Sequence, residues 1–291
     1  MSSLYGFEVK SDLPLLRLNS AAGTRGELRI EVAREPLRAP AEEPADSLLG
    51  EDGRRWFASW ELDGGACLLE MPPTGFFLLQ PAEGRVVVDS SGGDPDVLEH
   101  RIASSAICTL LSLRGDLALH AAAVEANGST IAFCGPTMRG KSTLARAMGE
   151  AGCRVLGEDG IAVELSEAGP VAHPGARGVR LRETDGQGGV RTGLAEDPGP
   201  GEPGACPVKA IVLLGERAEE LTIERLDPAR ALALLTPNLI HSGGRGSIAT
   251  AFQRLAALLG RVPAFEVSLP DDLEALPGAC QGLLDAIDLD L

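Results

Sequence analysis

One short segment constrains this chain more than any other. Residues 135–143, GPTMRGKST, match the pattern G-x-x-x-x-G-K-[ST]. An apolar run at 130–134 precedes the segment, and a stretch of helix-forming composition at 141–151 follows it before Gly152. Glycines in such a loop let backbone N–H groups turn inward, and the next helix adds the positive charge of its N-terminus. The segment therefore predicts a strand, a phosphate-binding loop and a helix in succession.

The residue types in this loop fit a nucleotide phosphate chain. Lys141 can reach the β- and γ-phosphates as a point charge, and the Ser142 hydroxyl suits Mg²⁺. Lysine is scarce here, since only three of the 26 basic residues are lysines. We expect ATP and Mg²⁺ as cofactors, with GTP and pyrophosphate left open as donors. The predicted nucleotide-binding residues are Gly135, Pro136, Thr137, Met138, Arg139, Gly140, Lys141, Ser142 and Thr143.

Three residues outside the loop are candidates for the chemistry. His120 precedes the loop by one hairpin, and Glu158 and Asp159 follow the next strand. In α/β sheets, the strand ends beside a phosphate loop are where reacting groups are placed. Of two adjacent acids there, one can accept a hydroxyl proton while the other binds a metal. Glu158, Asp159 and His120 are thus predicted catalytic residues, and Ser142 and Asp159 predicted metal ligands. The alternative is that the acids are only turn residues and that His120 only makes a hydrogen bond at the end of a strand.

Composition excludes several classes of protein. Hydrophobic residues make up 44% of the 291 residues and charged residues 23%, as in a soluble protein with a substantial core. The net charge of −16 has the wrong sign for holding nucleic acid. The six cysteines lack metal-ligand spacing, so reduced thiols are expected. Because we find no signal segment and no apolar run long enough to span a bilayer, we expect a cytoplasmic protein that does not bind membranes.

The chain divides by pattern into two parts. Residues 1–93 read as a β-rich N-terminal region, in which the tract 36–52 is expected to be a mobile loop. Residues 94–291 read as the domain that carries the loop. It opens with a helix from Asp94-Pro95 to Gly115.

The second part is predicted to alternate strands and helices. Asn127-Gly128 predicts a hairpin, and the stretch 183–206 is expected to be a flexible loop that closes over a substrate. Helices are predicted after Asp227-Pro228, over 247–259 and in two pieces around Pro277. Strands are predicted at 117–124, 130–134, 154–156, 161–165, 178–182, 208–214, 221–226 and 264–269.

The order of these motifs resembles that of the HPr kinase/phosphorylase family. Leu119-His120 matches the leucine-histidine motif of the family, residues 135–143 its P-loop, and Glu158-Asp159 its Asp-Asp pair with one change. The likeness is strongest over 113–165. It extends to HPr-kinase-related proteins found beside peptide natural-product genes, including kinases of lasso-peptide precursors.

This resemblance implies a fold and an activity. The fold would be α/β, with a P-loop kinase core like that of HPr kinase and of the nucleotide-binding part of phosphoenolpyruvate carboxykinase, preceded by the β-rich region. Glu158 would then stand at the position of the family's base, and Asp159 at that of the second acid.

The N-terminus extends the resemblance. Tyr5-Gly6 and the Ser-Asp-Leu-Pro stretch at 11–14 are similar to the opening of the related peptide kinases, and we find no phosphorylase signature region. The expected activity is phosphorylation of a serine on a protein or peptide partner, neutral or basic at the acceptor, without phosphorylase activity. A small-molecule kinase and a non-catalytic nucleotide-binding partner are the alternatives. Whether the chain forms a homo-oligomer is left open.

Overall fold

The computed structural model describes residues 2–20, 22–50, 52–92, 94–184, 190–195 and 204–288. Over the segments 179–184 and 190–195 only the backbone is described. Strands and helices both contribute to its layers, which confirms the predicted α/β class.

In the described part of residues 1–93, eight strands form one sheet. Its order is β1-β2-β3-β8-β7-β6-β5-β4, in which β3 pairs parallel with β2 and β8 while the other pairs are antiparallel. The strands are β1 (Ser3–Leu4), β2 (Phe7–Ser11), β3 (Glu27–Val32), β4 (Asp46–Leu49), β5 (Arg55–Glu61), β6 (Cys67–Met71), β7 (Gly75–Gln80) and β8 (Arg85–Ser90). The prediction of a mobile loop over 36–52 is wrong for 46–49, which pair with β5.

A long helical segment follows this sheet and packs on it. It consists of α1 (Pro95–His100), a π-helical turn (Arg101–Ala106) and α2 (Ile107–Arg114). Asp94 caps it by accepting a hydrogen bond from the Asp96 N–H at 2.9 Å, and it ends at Gly115, whose φ is +121°. Both ends confirm the sequence prediction. Its apolar face, including Ile102 and Ile107, is buried with Leu28 and Phe77 of the sheet.

The rest of the described chain builds a second sheet of nine strands, a separate hairpin and four helices. Its elements, in chain order, are β9 (Leu117–Leu119), β10 (Ala122–Ala126), β11 (Ser129–Cys134), α3 (Lys141–Glu150), β12 (Arg154–Gly157), β13 (Ile161–Ser166), β14 (Gly169–His173), β15 (Val179–Thr184), β16 (Val190–Ala195), β17 (Cys206–Leu214), β18 (Thr222–Leu226), α4 (Pro228–Leu235), α5 (Arg245–Leu259), β19 (Ala264–Ser268) and α6 (Leu276–Ile287).

The strand β11 lies in the middle of three layers. Its side chains alternate, so Ala132 and Cys134 face one core while Ile131 and Phe133 face the other. The helices α4 and α5 cover the first face, and α3 and α6 cover the second. This is the pattern of a sheet strand buried on both sides.

Strand directions bring several chain segments to one edge of this sheet. The hairpin of β10 and β11 turns at Asn127 and Gly128, whose φ values are +45° and +72°, which confirms the predicted hairpin. β12 pairs antiparallel with β10, so β12 runs in the same direction as β11, and β17 pairs parallel with β11. The ends of β11, β12 and β17 and the start of β10 therefore lie at the same edge.

Three further predictions of secondary structure need correction, and two strands, β14, which ends at His173, and β16, were not predicted. The run 117–124 is divided at His120 and Ala121, since β9 pairs with β13 while β10 pairs with β11. The stretch 183–206 is no continuous loop, because β16 lies within it and pairs with β15, which corresponds to the strand predicted at 178–182; residues 185–189 and 196–203 lie outside the described residues. Pro277 does not divide α6: it lies in the first turn, where a missing N–H costs nothing.

All six cysteines are free and buried. Burial raises the pKa of four thiols to about 12, namely those of Cys67, Cys108, Cys134 and Cys280. Such thiols are poor nucleophiles and belong to the core. Within the described residues, no helix is long and apolar enough to cross a bilayer.

Candidate active site

The loop between β11 and α3 has the backbone that the sequence pattern requires. Gly135 and Gly140 have φ values of +140° and +96°, and α3 begins at Lys141. A Cβ at Gly140 would meet only Nη2 of Arg217, the end of a flexible side chain, so the positive φ rather than lack of space favours glycine there. Met138, at φ +68°, is exposed at the tip of the loop. The loop is therefore shaped by glycines at the two positions that the motif specifies.

Lys141 folds back over the loop. Its Nζ donates hydrogen bonds to the carbonyl oxygens of Gly135 at 2.8 Å and Pro136 at 3.2 Å, and the residue is only 8% exposed. Burial lowers the pKa of Lys141, while the carboxylates of Asp159 and Glu158 act in the opposite direction. The ammonium group is thus held beside the loop and within the field of both acids.

His120, Glu158 and Asp159 lie at the same edge of the sheet as the loop. His120 directly follows β9 and is separated from β10 by Ala121, and the two acids directly follow β12. Nδ1 of His120 lies 3.4 Å from Oδ1 of Asp159. Burial lowers the pKa of His120, with Asp159 opposing the shift, so the imidazole is neutral near pH 7. The structure therefore brings together the three residues that the sequence selected as candidates.

The remaining predicted loop residues have different surroundings. Pro136, Thr137 and Met138 are exposed, and Ser142 and Thr143 lie in the first turn of α3. Arg139 forms a bidentate ion pair with Glu216, which follows β17. Arg139 therefore anchors the loop to the neighbouring strand.

Two residues of the site were missed by sequence reasoning. Asn238 is buried, and its Oδ1 accepts a hydrogen bond from the Gly135 N–H at 2.7 Å while its backbone oxygen accepts one from the His120 N–H at 2.7 Å. His100, the last residue of α1, places its Nε2 2.8 Å from Oδ2 of Asp159. Neither residue belongs to a motif, and each is far along the chain from its partner, so no local signal could have identified them.

The N-terminal region also contacts the turn that carries the acids. The buried Tyr5 hydroxyl donates a hydrogen bond to the carbonyl oxygen of Gly160 at 3.0 Å, and the Cys108 thiol donates one to the Tyr5 oxygen at 3.2 Å. A Cβ on Gly160 would lie 2.8 Å from the carbonyl oxygen of Ser104. The turn at 158–160 is therefore fixed between Tyr5 and the π-helical turn.

We expect Tyr5→Phe to lower the free energy of unfolding by about 1–2 kcal/mol, because it leaves a buried carbonyl without its donor. Denaturant titration of both proteins measures the change. Thr74→Val is a matched control, since it also removes a buried hydroxyl, and the Thr74 hydroxyl has no hydrogen-bond partner. Equal losses of stability in the two variants would contradict a specific role for the Tyr5 hydrogen bond.

The donor set at this edge suits a hard cation bound together with a ligand. Asp159 supplies carboxylate oxygens and Ser142 a hydroxyl oxygen, which are ligand types that Mg²⁺ prefers. Among the described residues, no group of three or more His, Cys, Asp or Glu side chains could hold a metal ion. Magnesium commonly uses one or two carboxylates and completes its shell with water and phosphate oxygens. The residues present therefore fit a metal that arrives with a nucleotide.

Comparison with known proteins finds similar solved structures but no matching family model or curated sequence. No protein-family model matches the chain, and no curated protein matches its sequence. One solved structure to which the chain is similar is that of the Hpr(Ser) kinase/phosphatase from Coxiella burnetii, with a TM-score of 0.34 and 14% sequence identity. The similarity covers 58% of this chain and 94% of that chain. A TM-score at this level establishes neither a common fold nor a common activity, so function must be argued from the site.

Proposed function

We propose that this protein is an ATP-dependent kinase that phosphorylates a serine hydroxyl on a protein or peptide and has no phosphorylase activity. One observation carries the proposal: the phosphate-binding loop with Lys141 shares a sheet edge with His120, Glu158 and Asp159. A cation for phosphate, an acid for metal and a second acid for a proton are the groups that phosphoryl transfer needs.

The nucleotide would be bound at the loop and at the start of α3. Backbone N–H groups of residues 135–143 and the positive N-terminus of α3 attract phosphate oxygens, and Lys141 adds a full charge. Ser142 and Asp159 would hold Mg²⁺, which neutralises phosphate charge when bound. Lys141 would exchange its two carbonyl partners in the loop for phosphate oxygens, which are stronger acceptors.

Glu158 is the proposed general base. Its negative charge opposes the burial that lowers the pKa of Lys141, as does that of Asp159, so Glu158 lies in the electrostatic neighbourhood of the loop. Asp159 contacts the His100 and His120 rings, and Glu158, half-buried beside it, would accept the proton of an acceptor hydroxyl. His120, neutral near pH 7, would orient Asp159 and assist at the acceptor. The motif order Leu119-His120, loop and Glu158-Asp159 supports serine as the acceptor.

The test is direct transfer of label from [γ-³²P]ATP. The purified protein is incubated with Mg²⁺ and with serine-containing peptides, lasso-peptide precursors among them, and each peptide is matched by a serine-to-alanine copy. The expected result is label on the serine peptide alone. Addition of phosphate to the phosphorylated peptide should release no dephosphorylated product, since phosphorylase activity is not expected.

Other outcomes would identify the alternatives. Label on small alcohols with none on any peptide would indicate a small-molecule kinase. Tight binding of the nucleotide with no transfer to any acceptor would indicate a non-catalytic binding partner. Either result would contradict the proposed function.

A further inference from the structure

His100 is a buried histidine that the proposed chemistry does not use. Its side chain is 7% exposed, and its Nε2 lies 2.8 Å from Oδ2 of Asp159, a residue 59 positions later in the chain. We propose that His100 is a positioning residue: its Nε2–H donates to Asp159 and fixes the orientation in which that carboxylate meets the metal. This inference rests on the proposed function, because it concerns the same carboxylate.

The direction of the hydrogen bond follows from the chemistry of the two groups. An ionised carboxylate can only accept, so the His100 ring must carry its hydrogen on Nε2 to bond with Asp159. His100 binds one carboxylate oxygen, and His120 lies 3.4 Å from the other. The carboxylate is thus hydrogen-bonded at Oδ2, and its Oδ1 lies beside the His120 ring.

Close contacts connect the backbone around both residues. Asp159 has a φ of +63°, in the left-handed region, which aspartate adopts more readily than most non-glycine residues. The next residue, Gly160, packs tightly against the backbone oxygen of Ser104. The Ser104 hydroxyl in turn donates to the His100 carbonyl at 2.7 Å. Helix, turn and carboxylate therefore form one connected unit.

The π-helical turn determines where His100 lies relative to the turn 158–160. It begins at Arg101, directly after His100, and widens the helix where the turn 158–160 packs on it. Single π-helical turns inside α-helices are frequent at functional sites. Residues that hydrogen-bond to metal ligands typically change metal affinity or activity about 10–100-fold when they are replaced.

The test compares two replacements of similar length. His100→Gln keeps an N–H donor, and His100→Met removes it. Mn²⁺ affinity is measured by electron paramagnetic resonance in the presence of a nonhydrolysable ATP analogue. We expect His100→Met to weaken Mn²⁺ binding about 10-fold or more, and His100→Gln to restore most of the loss. In the transfer assay, kcat should fall in His100→Met while the KM for the peptide stays unchanged.

His173→Leu is a matched control. His173 is equally buried, and its Nε2 also lies 2.9 Å from a carboxylate oxygen, that of Glu164, outside the site. We expect this variant to keep the wild-type Mn²⁺ affinity. Loss of Mn²⁺ affinity in His173→Leu as large as in His100→Met would overturn the proposal, because the effect would then follow from removing any buried histidine.

A second measurement needs no variant and no activity. Nitrogen NMR of the wild-type protein reports which ring nitrogen of His100 carries the hydrogen, and we expect Nε2. A hydrogen on Nδ1 alone would overturn the proposal, as would wild-type Mn²⁺ affinity in folded His100→Met. A wild-type protein that binds Mn²⁺ and nucleotide without transferring phosphate would contradict the proposed function alone.

Discussion

Lys141→Ala should lower the rate of phosphoryl transfer by about 10²–10³-fold or more, because it removes a preorganised charge from the phosphate site. The side chain donates hydrogen bonds to the Gly135 and Pro136 carbonyls, so its removal also leaves these acceptors without a donor and lowers stability. Transfer kinetics and thermal unfolding of the same preparation separate the two effects. We expect Tm to change by a few degrees while activity is lost.

The control for this variant is Lys209→Ala. Lys209 is an exposed lysine on β17, the strand that pairs with the loop-bearing β11, so it tests the loss of one positive charge in the same sheet. It should transfer phosphate at the wild-type rate. If Lys141→Ala retained activity within a few-fold of the parent protein, the loop would have no part in the mechanism.

Glu158→Gln and Asp159→Asn should lose activity for different reasons. If Glu158 is the base, its amide cannot accept the hydroxyl proton, and turnover should fall about 10²–10⁴-fold while the affinity for Mg-ATP is kept. Asp159→Asn should weaken the dependence on Mg²⁺ as well as the rate, since an amide is a poorer ligand for a hard cation than a carboxylate. Titration of activity with Mg²⁺ and direct measurement of nucleotide binding distinguish the two variants.

An exposed acid provides the control for the Glu158→Gln and Asp159→Asn variants. Glu167, in the turn between β13 and β14, is exposed and lies outside the site, so Glu167→Gln should behave as wild type. If Glu158→Gln and Asp159→Asn also bound nucleotide and turned over like the wild-type protein, the pair would be no more than turn residues.

The parts of the site that sequence could predict are those coded by neighbouring residues. The loop at 135–140 follows from two glycines that take positive φ, and α3 follows from helix-forming residues ending before Gly152. The hairpin at Asn127-Gly128 and the cap at Asp94 are equally local. Each of these features is decided by steric and hydrogen-bonding preferences within a few residues, so one segment of chain contains all the information needed.

The structure corrected the sequence where pairing is remote. β4 forms in a tract rich in proline and acid because β5 supplies its partner, and β16 forms in the stretch 183–206, which shows almost no apolar periodicity, because β15 supplies its partner. In both cases the strand is stabilised by a neighbour rather than by its own residues. Propensity and periodicity describe one segment at a time, so they cannot identify that neighbouring strand.

The sequence by itself determined the glycine-shaped loop at 135–140, the adjacent acids Glu158 and Asp159 after a strand and the α/β class, since each depends on the order of neighbouring residues. Only the tertiary structure decided that His100, Asn238 and Tyr5 reach this site. His100 is 59 residues from Asp159, Asn238 is 103 from Gly135, and Tyr5 is 155 from Gly160. Contacts across such separations depend on how sheets and helices pack, because burial and strand pairing are properties of the whole fold and leave no pattern in the local sequence.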